Sequence, residues 1–390
     1  MKVLMVVHSY YPYDPRVRRE AESLRDRGDS VDIVCLKNEN EPAFETIRGI
    51  NVYRLPVSRH RGSGLVRYLA EYLAFFLLAS CKVTKLFIAN QYRVIQVHTI
   101  PDWLVFCTLI PRLLGARVIL DMHEVMPEFF SYRYNLPAGH PVIRLTCLSE
   151  RLSTAFADKV ITVSDGLKDI LVSRGVPAGK ITIVMNSADD KVFRRTVKTA
   201  SHNPQSGIIF SYHGLVSDIY DLSVVFRALA KLKSQIPNMK FLVIGDGPQA
   251  AEYKNTVNRL GISDMVSFLG HHPQEKVVEM LCGIDVGIVP LKDAEFTHLA
   301  FPTKLVEYAA LGIPAITAQR RTVAQYFNSD AVCFYKPDDD ASLAEAILEL
   351  HRHPDKRTSM VRRAFECYDK ISWGVMKERY YNLIGRAAGR

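Results

Sequence analysis

The chain has 390 residues, of which 48% are hydrophobic and 23% are charged, and it carries a net charge of +9. This length is too great for one ordinary hydrophobic core, and the composition excludes an intrinsically disordered or collagen-like chain. The positive charge suits a partner that carries phosphate, a membrane surface or a nucleic acid, but it suits simple solubility equally well.

The seven cysteines are spread along the chain without a CxxC pair. Their odd number and wide spacing argue against a disulfide framework and against a structural zinc site. The N-terminal stretch MKVLMVVHSYYPYDP lacks the long apolar region and the cleavage site of a signal peptide, so we interpret it as a first buried strand. These features predict a cytoplasmic protein.

Short runs rich in Val and Ile alternate with helical runs through the first half of the chain. Strands that are apolar without alternation are typical of a parallel sheet covered by helices on both faces. The predicted strands are residues 2–7, 30–36, 50–55, 94–98, 116–122 and 159–164, with helices predicted over 17–28 and 102–115. This βαβ series predicts a doubly wound α/β domain over residues 1–193.

A polar segment interrupts the series at residues 194–206 and predicts a linker. The alternation then restarts and predicts a second α/β domain over residues 207–373. Its predicted strands are 207–214, 240–247, 265–270, 285–291, 313–317 and 331–335. The predicted fold class is therefore α/β, with two Rossmann-like doubly wound domains that face each other across a ligand-binding cleft.

The segment LVRYLAEYLAFFLLASC, residues 65–81, is the most apolar part of the chain. Arg67 and Glu71 interrupt it, and its uncharged part is shorter than the ~20 residues that a spanning helix needs. Basic residues surround it, namely Arg59, Arg61, Arg67, Lys82 and Lys85. The pattern indicates either a helix that lies on an anionic membrane surface or a core helix with solvated ends.

The stretch FPTKLVEYAALGIPAI predicts a short helix in front of a buried strand. Pro302 suits the first helical position, Thr303 and Lys304 follow in the first turn, and Gly312 ends the helix. The free N–H groups of a helix start suit phosphate, and Lys304 would strengthen such a site. Glu307, one turn deeper on the same face, could accept hydrogen bonds from a sugar diol. The alternative is a Lys–Glu pair on a solvated face, and we expect Lys304 to be partly exposed also as a ligand-binding residue.

Two glycine-containing turns follow predicted strands of the second domain. Gly245 and Gly247 lie in IGDGP, and Gly214 lies in SYHGL. Glycines let a backbone turn sharply or approach a ligand closely. Neither stretch has the GxGxxG spacing of a dinucleotide site or the GKS/T end of a P-loop, so a tight turn and a ligand contact remain equal alternatives.

Two histidines end predicted parallel strands of the first domain. His98 and His123 would lie at the edge of the sheet where ligands bind, with Asp121 beside His123. The two histidines lack metal-ligand spacing in the sequence, so we predict no metal site. Asp14 and Arg16 follow the first strand and could meet an anionic acceptor or leaving group at the same edge.

Taken together, these residues resemble the GT-B glycosyltransferases, and more narrowly the retaining glycosyltransferase family 4. The stretches that carry the resemblance are DPRVRREAESLRDRG, IGDGP, KLVEYAALGIPAI and residues 157–193, ADKVITVSDGLKDILVSRGVPAGKITIVMNSADDKVF. The final helix, 374–390, resembles the one that in this family packs back onto the first domain.

The resemblance implies transfer of a sugar from a nucleotide diphospho-sugar, such as a UDP-sugar, to a glycan or lipid-linked acceptor in cell-surface polysaccharide synthesis. The anomeric configuration would be retained, and no metal or cofactor would be needed. His123, Lys304 and Glu307 would be catalytic, and Asp14, Arg16 and His98 would lie on the acceptor side. The donor-binding residues would be Gly214, Gly245, Gly247, Pro302, Thr303, Lys304 and Glu307.

The sequence departs from the family pattern at two places. The position that often carries a first glutamate is Leu299, and the stretch GLVSDIYDLS after the HG pair has no basic residue for the diphosphate. An alternative is therefore a catalytically silent GT-B subunit that stabilises a partner transferase. A sugar-nucleotide epimerase of similar architecture is a third possibility, whereas the basic residues are too scattered for a nucleic-acid binder.

Overall fold

The computed structural model describes residues 1–59, 65–195 and 207–389, and in it the chain forms two compact units. The first unit comprises residues 1–186 and 376–390, and the second comprises residues 187–375. Each unit is a doubly wound α/β structure, which confirms the predicted α/β class with two Rossmann-like domains. Most of the predicted linker 194–206, together with Arg61, lies outside the described residues.

Eight strands form the sheet of the first unit. They are β1 (Lys2–Val7), β2 (Ser30–Leu36), β3 (Phe44–Ile47), β4 (Ile50–Leu55), β5 (Val94–His98), β6 (Arg117–Met122), β7 (Lys159–Thr162) and β8 (Ile181–Ile183). Their order is β3-β4-β2-β1-β5-β6-β7-β8, and among the described strands of this sheet only the β3–β4 pair is antiparallel. Every residue of β5 is buried, as expected for a central strand with helices on both faces.

Six α-helices and two 3-10 helices accompany this sheet before the chain enters the second unit. They are α1 (Pro15–Asp26), α2 (Leu65–Asn90), a 3-10 helix (Asp102–Thr108), α3 (Leu109–Leu113), α4 (Met126–Tyr134), α5 (Pro141–Phe156), α6 (Asp165–Ser173) and a short 3-10 helix (Ala178–Lys180). The single helix predicted over 102–115 is divided, because Pro111 has no N–H to continue the ladder and instead lies in the first turn of α3.

The second unit is built on a six-stranded sheet that is parallel throughout. Its strands are β9 (Ile209–His213), β10 (Lys240–Ile244), β11 (Val266–Gly270), β12 (Val286–Val289), β13 (Ala315–Ala318) and β14 (Cys333–Tyr335), in the order β11-β10-β9-β12-β13-β14. Its helices are α7 (Leu222–Leu232), α8 (Ala250–Arg259), α9 (Gln274–Leu281), α10 (Glu295–Leu299), α11 (Thr303–Leu311), α12 (Arg321–Tyr326), α13 (Asp340–Arg352) and α14 (Pro354–Asp369).

The last helix, α15 (Trp373–Ala387), belongs to the first unit from Met376 onward. The Tyr380 hydroxyl donates to the Gln96 side-chain carbonyl on β5 at 2.7 Å, and Tyr380 is completely buried. The Tyr381 hydroxyl donates to the backbone carbonyl of Ser23 on α1. Residues distant by more than 280 positions in sequence therefore share one core.

Each sheet has one point where the strand order reverses direction. In the first unit this switch point lies between β1 and β5, and in the second it lies between β9 and β12. Helices leave the two strands at a switch point towards opposite faces, so a crevice opens at the carboxyl ends of the strands. His98 ends β5 and His213 ends β9, which places one histidine at each switch point.

One buried carboxyl in the first unit has no apparent structural partner. Asp102, at the start of the 3-10 helix, is completely buried, and neither of its oxygens has a hydrogen-bond partner among the described residues. Burial, reinforced by the nearby Glu150, raises the pKa of Asp102 well above its ordinary value, although Arg174 opposes this shift. The group is therefore neutral in the folded protein at a pH where the unfolded chain carries a charge.

We expect Asp102→Asn to raise the melting temperature at pH 8 and to leave it nearly unchanged at pH 4. A carboxyl whose pKa is raised by folding stabilises fully below its unfolded pKa, and that stability is lost as the pH rises towards the folded pKa. Asparagine does not ionise, so the variant should keep the about 1–3 kcal/mol of unfolding free energy that the wild type loses at high pH. Differential scanning calorimetry across pH 4–8 measures the effect. The exposed Asp169→Asn is the matched control, and equal pH profiles for all three proteins would contradict the prediction.

Candidate functional site

The first unit places a buried ion pair at its switch point. The Arg16 guanidinium binds both oxygens of Asp121, with Nε at 3.0 Å from Oδ2 and Nη2 at 2.8 Å from Oδ1. Its Nη1 donates to the Val184 carbonyl and to the Asn186 side chain. A bidentate ion pair of this kind holds both side chains in position and keeps both of them charged.

The two predicted histidines meet at this carboxylate. His98 and Asp121 are register partners on β5 and β6, and His98 Nδ1 lies 3.0 Å from Asp121 Oδ2. His123 Nε2 lies 3.2 Å from His98 Nδ1 and 3.5 Å from Asp121 Oδ2. Burial alone would raise the pKa of Asp121, but Arg16 and the two histidines outweigh it and hold that pKa well below its ordinary range.

Gln96, Glu20 and Tyr380 surround the pair of Arg16 and Asp121. Gln96 donates to Glu20 at 2.8 Å and to Asp121 Oδ2 at 3.2 Å, while Tyr380 donates to Gln96. Burial raises the pKa of Glu20 even though Arg16 lies 3.2 Å away and opposes the shift. The network therefore holds Asp121 ionised and leaves Glu20 as the carboxyl that is more easily protonated.

The three predicted acceptor-side residues have structural contacts of their own within the first unit. Asp14 is the N-cap of α1, and its carboxylate accepts from the backbone N–H groups of Arg16 and Val17. The side chains of Arg16 and His98 are 5% and 0% exposed, so both are buried within the first unit. His123 is the exception, because its side chain is 20% exposed.

The fold also brings together a possible set of metal ligands that the sequence spacing did not predict. One ligand atom each from His98, Asp121 and His123 lie within 4.8 Å of one another. Imidazole and carboxylate are ligands that a zinc-like cation accepts. The Asp121 oxygen involved already accepts from Arg16 and Gln96, so a cation would have to displace these donors and stay close to the guanidinium. The contacts suit a histidine-positioning network better than a resident metal.

In the second unit, the predicted short helix is present as α11. Pro302 is its N-cap, one position earlier than predicted, and Thr303 is its first residue. Gly312 ends the helix in the left-handed conformation, with a φ of 69°, as the Gly-Ile-Pro stop indicates. Pro302 is buried and Thr303 is half-buried. The start of α11 therefore presents N–H groups that have no partner within the helix.

Lys304 lies inside the second unit, which corrects the expected partly exposed position. The residue is 7% exposed, and its ammonium lies 3.7 Å from the ring centre of Tyr220 and 5.1 Å from that of Tyr212. Among the described residues it makes no hydrogen bond or ion pair. Aromatic faces stabilise a cation only modestly compared with water. A buried ammonium held this way is poised to bind an anion.

Glu307 is held by a histidine that the sequence did not single out. His213 Nε2 lies 2.6 Å from Glu307 Oε2, and the two side chains are 5% and 17% exposed. The residues are 94 positions apart, so no local pattern connects them. His213 ends β9 at the switch point, and its ring packs edge-on against Tyr308 of α11 at 4.6 Å. This contact fixes the face of α11 that carries Glu307.

The three glycines share a packing role. A Cβ on Gly245 would lie 1.9 Å from the Gly214 carbonyl oxygen, and one on Gly247 would lie 2.2 Å from the Val216 carbonyl oxygen. At Gly214, where φ is +100°, a Cβ would lie 2.9 Å from Cε of Lys304. Gly245 and Gly247 thus let the two loops pack backbone to backbone, and Gly214 leaves room for the lysine.

Chemically, this edge of the second unit combines an unpaired cation, a helix start and an oriented carboxylate. The cation and helix start suit a phosphate-bearing group, and a carboxylate suits hydroxyl donors. Tyr220 and His213 are the residues that sequence reasoning missed here. The aromatic content of SYHGLVSDIY was a possible signal, but it does not reveal which ring lies under Lys304.

Comparison with known families identifies both halves of the chain. Residues 13–187 match the family described as glycosyl transferase 4-like domain. Residues 194–366 match the family described as glycosyl transferases group 1. Together the two matches account for nearly the whole chain.

Two curated relatives illustrate the range of sequence similarity. The amylovoran biosynthesis glycosyltransferase AmsK of Erwinia amylovora is 26% identical over 179 residues, which cover 46% of this chain and 43% of AmsK. The chitobiosyldiphosphodolichol beta-mannosyltransferase of Debaryomyces hansenii is 22% identical over 94% of this chain and 81% of its own length. The first match thus spans less than half of the relative.

Among solved structures, Anabaena Alr3699/HepE in complex with UDP has a TM-score of 0.74 at 15% identity, covering 99% of this chain and all of that one. The same Anabaena protein has also been solved with UDP-glucose, with a TM-score of 0.73. At this level of identity the similarity establishes the shared fold.

Proposed function

The chain belongs to the GT-B glycosyltransferases with a family-4-like first domain, and we propose that it transfers a sugar from a nucleotide diphospho-sugar to a glycan or lipid-linked acceptor. The observation that carries this proposal is the unpaired, buried Lys304 at the start of α11, one turn from the His213-bound Glu307. The solved complexes of Anabaena HepE with UDP and UDP-glucose support a nucleotide-sugar donor. The names of the relatives support polysaccharide synthesis and a diphospholipid-linked acceptor.

In this proposal the second unit binds the donor. The N–H groups at Thr303 and the Lys304 ammonium contact the diphosphate, and Glu307 accepts hydrogen bonds from the ribose hydroxyls. Negative charge grows on the leaving diphosphate as the sugar bond breaks. Fixed donors in a water-poor site stabilise that charge, and they do so without reorganising during the reaction. Lys304 and the helix start are thus the catalytic electrostatic groups of this unit.

In the first unit we propose that His123 is the residue that meets the donor sugar. His98, Asp121 and Arg16 act through it as positioning residues, because they are buried and hold the imidazole by direct contact. We further propose that transfer retains the anomeric configuration and needs no metal. The occupied hydrogen bonds of Asp121 support the latter, and the family resemblance supports the former.

The silent-subunit alternative rests on two departures from the family pattern. Leu299, the last residue of α10, supplies no carboxylate, and the loop after Gly214 supplies no cation. Lys304 supplies the cation that is missing from the loop after Gly214, since the close contact of its side chain with Gly214 brings an ammonium to that same loop. This contact favours an active transferase.

The decisive experiment is a thermal-shift panel of UDP-, GDP-, ADP- and CMP-sugars with wild type and Glu307→Ala. A ligand that binds only the folded state stabilises it by about 2.7 kcal/mol at 100 times its Kd. We expect one nucleotide class to raise the melting temperature of wild type and to lose that effect in Glu307→Ala. The exposed Glu345→Ala, also in the second unit, should behave like wild type.

If no donor shifts the melting temperature, the result would contradict an active transferase and favour the silent subunit.

Once the donor is known, the anomeric configuration of the product, read by proton NMR, tests retention. Seven free cysteines in the structure support a reducing cytoplasmic location, which we propose on that ground.

A further inference from the structure

We propose that the first unit docks on an anionic lipid bilayer through the outer faces of α2, α3 and α5, called here the three-helix face. All but four of the large hydrophobic side chains that are exposed in the described residues lie on these helices or directly after α3, the others being Tyr13, Phe44, Val172 and Leu215. Those on the face are Val66, Leu69, Leu73, Leu77, Leu78, Ile88, Leu109, Ile110, Leu113, Leu114, Leu145, Leu148 and Leu152. Soluble monomers rarely expose so large an apolar patch without a partner.

The three helices form one continuous layer. Right-handed crossovers between parallel strands place α2, the 3-10 helix with α3, and α5 on the same face of the sheet. Phe76 of α2 packs edge-on against Trp103 of the 3-10 helix at 5.3 Å, and Phe106 packs against Phe156 of α5 at 5.1 Å. The exposed leucines therefore belong to adjoining helices.

Helix α2 is apolar on two opposite sides. Phe75, Ala79 and Val83 are completely buried and pack it against the unit. On the other side, Val66, Leu69, Leu73, Leu77 and Ile88 follow helical spacing as one stripe and are between 49% and 81% exposed. A helix that is hydrophobic all round is covered on both sides in its working state.

The charges on this face have one sign. The exposed charged side chains of the helices are Arg67, Lys85, Arg144 and Arg151. The acidic residues in the sequences of α2 and α5, Glu71 and Glu150, are buried and contact His8 and Arg174 respectively. Apolar side chains surrounded only by cations are the pattern of a helix seated in the headgroup region of an anionic leaflet.

A basic cavity lies at the edge of the sheet where the three helices end. Helices α2, α3 and α5 all end at the edge of the sheet where β5, β6 and β7 begin, because each connects the end of one strand to the start of the next. A cavity of about 460 Å³ lies at this edge, and its charged lining residues are Arg93, Arg117, Asp158, Lys159 and Arg386. Four cations against one carboxylate make this edge of the first unit positively charged.

The contacts of α2 also decide how it meets the bilayer. Among the described helices, α2 is long and apolar enough to cross a membrane by length and composition. To cross, however, it would have to leave the core and expose Glu71, which is 3.1 Å from His8 at the end of β1. Burial, followed by repulsion from Arg59, lowers the pKa of His8 to about 3, so this contact joins a neutral imidazole to Glu71. We therefore place α2 in the plane of the interface.

Co-sedimentation with vesicles tests the proposal. The vesicles are pure phosphatidylcholine and an equal mixture with phosphatidylglycerol, and the proteins are wild type, Leu73→Gln/Leu77→Gln/Leu148→Gln and Arg67→Gln/Arg144→Gln/Arg151→Gln. Each cation near an anionic surface changes partitioning roughly five-fold, so the arginine variant should bind the mixed vesicles roughly 100-fold more weakly. The leucine variant should lose binding to both vesicles.

Matched controls separate this surface from general charge and hydrophobicity. Arg259→Gln/Arg352→Gln/Arg362→Gln changes the net charge equally on the second unit, and Tyr13→Gln removes an exposed apolar group from the loop before α1 in the first unit. Both should bind vesicles like wild type. The donor-induced thermal shift of the leucine variant should equal that of wild type, which makes failure of docking distinguishable from failure of donor binding.

Three results would overturn the proposal. One is equal vesicle binding by the leucine variant and wild type. Another is wild-type self-association in sedimentation equilibrium that the leucine variant loses while neither protein binds vesicles, because a second copy would then cover the face. The third is bound protein that high salt and alkaline carbonate do not release, since α2 would then span the bilayer.

Discussion

Arg16→Met is expected to destabilise the first unit by about 3–5 kcal/mol, the cost of leaving buried charge without its partner. Arg16, Asp121 and Glu20 have side chains that are 5%, 0% and 0% exposed, so water cannot replace the guanidinium. Methionine keeps much of the length of the arginine stem and removes the charge. Urea unfolding monitored by circular dichroism measures the loss, with the two units allowed separate transitions.

The pH dependence of this loss identifies its cause. With Arg16 present, the depressed pKa of Asp121 contributes stability above the unfolded pKa, and that stability is lost as the pH falls through the folded pKa. Without Arg16, burial should raise the pKa of Asp121. The stability lost in Arg16→Met should therefore be larger at pH 8 than at pH 5. Asp121→Asn in the Arg16→Met background should recover part of the stability. If the free energy of unfolding falls by less than about 1 kcal/mol, or by an amount independent of pH, the Arg16–Asp121 pair does not stabilise this core as proposed.

Lys304→Met is expected to lower the rate of nucleoside diphosphate release from the donor by roughly 10²–10³-fold, as loss of one preorganised charge contact does elsewhere. The ligand-free variant should be at least as stable as wild type, because methionine fills the space over Tyr220 without burying an unpaired ammonium. The rate is measured by detecting the phosphate that a coupling nucleoside diphosphatase frees from the released nucleoside diphosphate. Calorimetry measures the stability. EDTA should not change the wild-type rate if transfer needs no metal.

The exposed Lys276→Met serves as the charge-matched control for this experiment. The two readouts separate the functional role from a structural one. A variant that unfolds more easily but releases nucleoside diphosphate at the wild-type rate per folded molecule would assign Lys304 to packing against the tyrosines. A variant that is stable and slow would assign it to the donor phosphates.

Local pattern was enough to predict most of the elements of this fold. The helix of PTKLVEYAALG and its glycine stop follow from capping and spacing, and the apolar strands follow from composition. The antiparallel β3 and the three-residue β8 were not predicted, since both are short and lack a continuous apolar run. The division of residues 102–115 depended on Pro111, whose position within a turn could not be judged without the structure.

The candidate sites were predictable only in part, because their decisive contacts are distant in sequence. His123 and Glu307 could be selected from their positions after strands and at a helix start. Their partners could not, since His98 Nδ1 reaches His123 through strand register and His213 reaches Glu307 across 94 positions. Lys304 is buried beside two tyrosine rings, in space that the missing Cβ of Gly214 leaves open, and no spacing rule connects these residues.

The return of α15 to the first unit has a consequence for how the protein is made. Chains are synthesised from the N-terminus, and domains ordinarily fold in that order as they emerge from the ribosome. Here Tyr380 supplies the hydrogen bond that completes the Gln96 contacts beside Asp121. The first site therefore cannot be finished until residues 376–390 have been translated, by which time the whole second unit already exists. Nascent chains stalled before Met376 would lack Tyr380, and Gln96 would lose this partner beside Glu20 and Asp121.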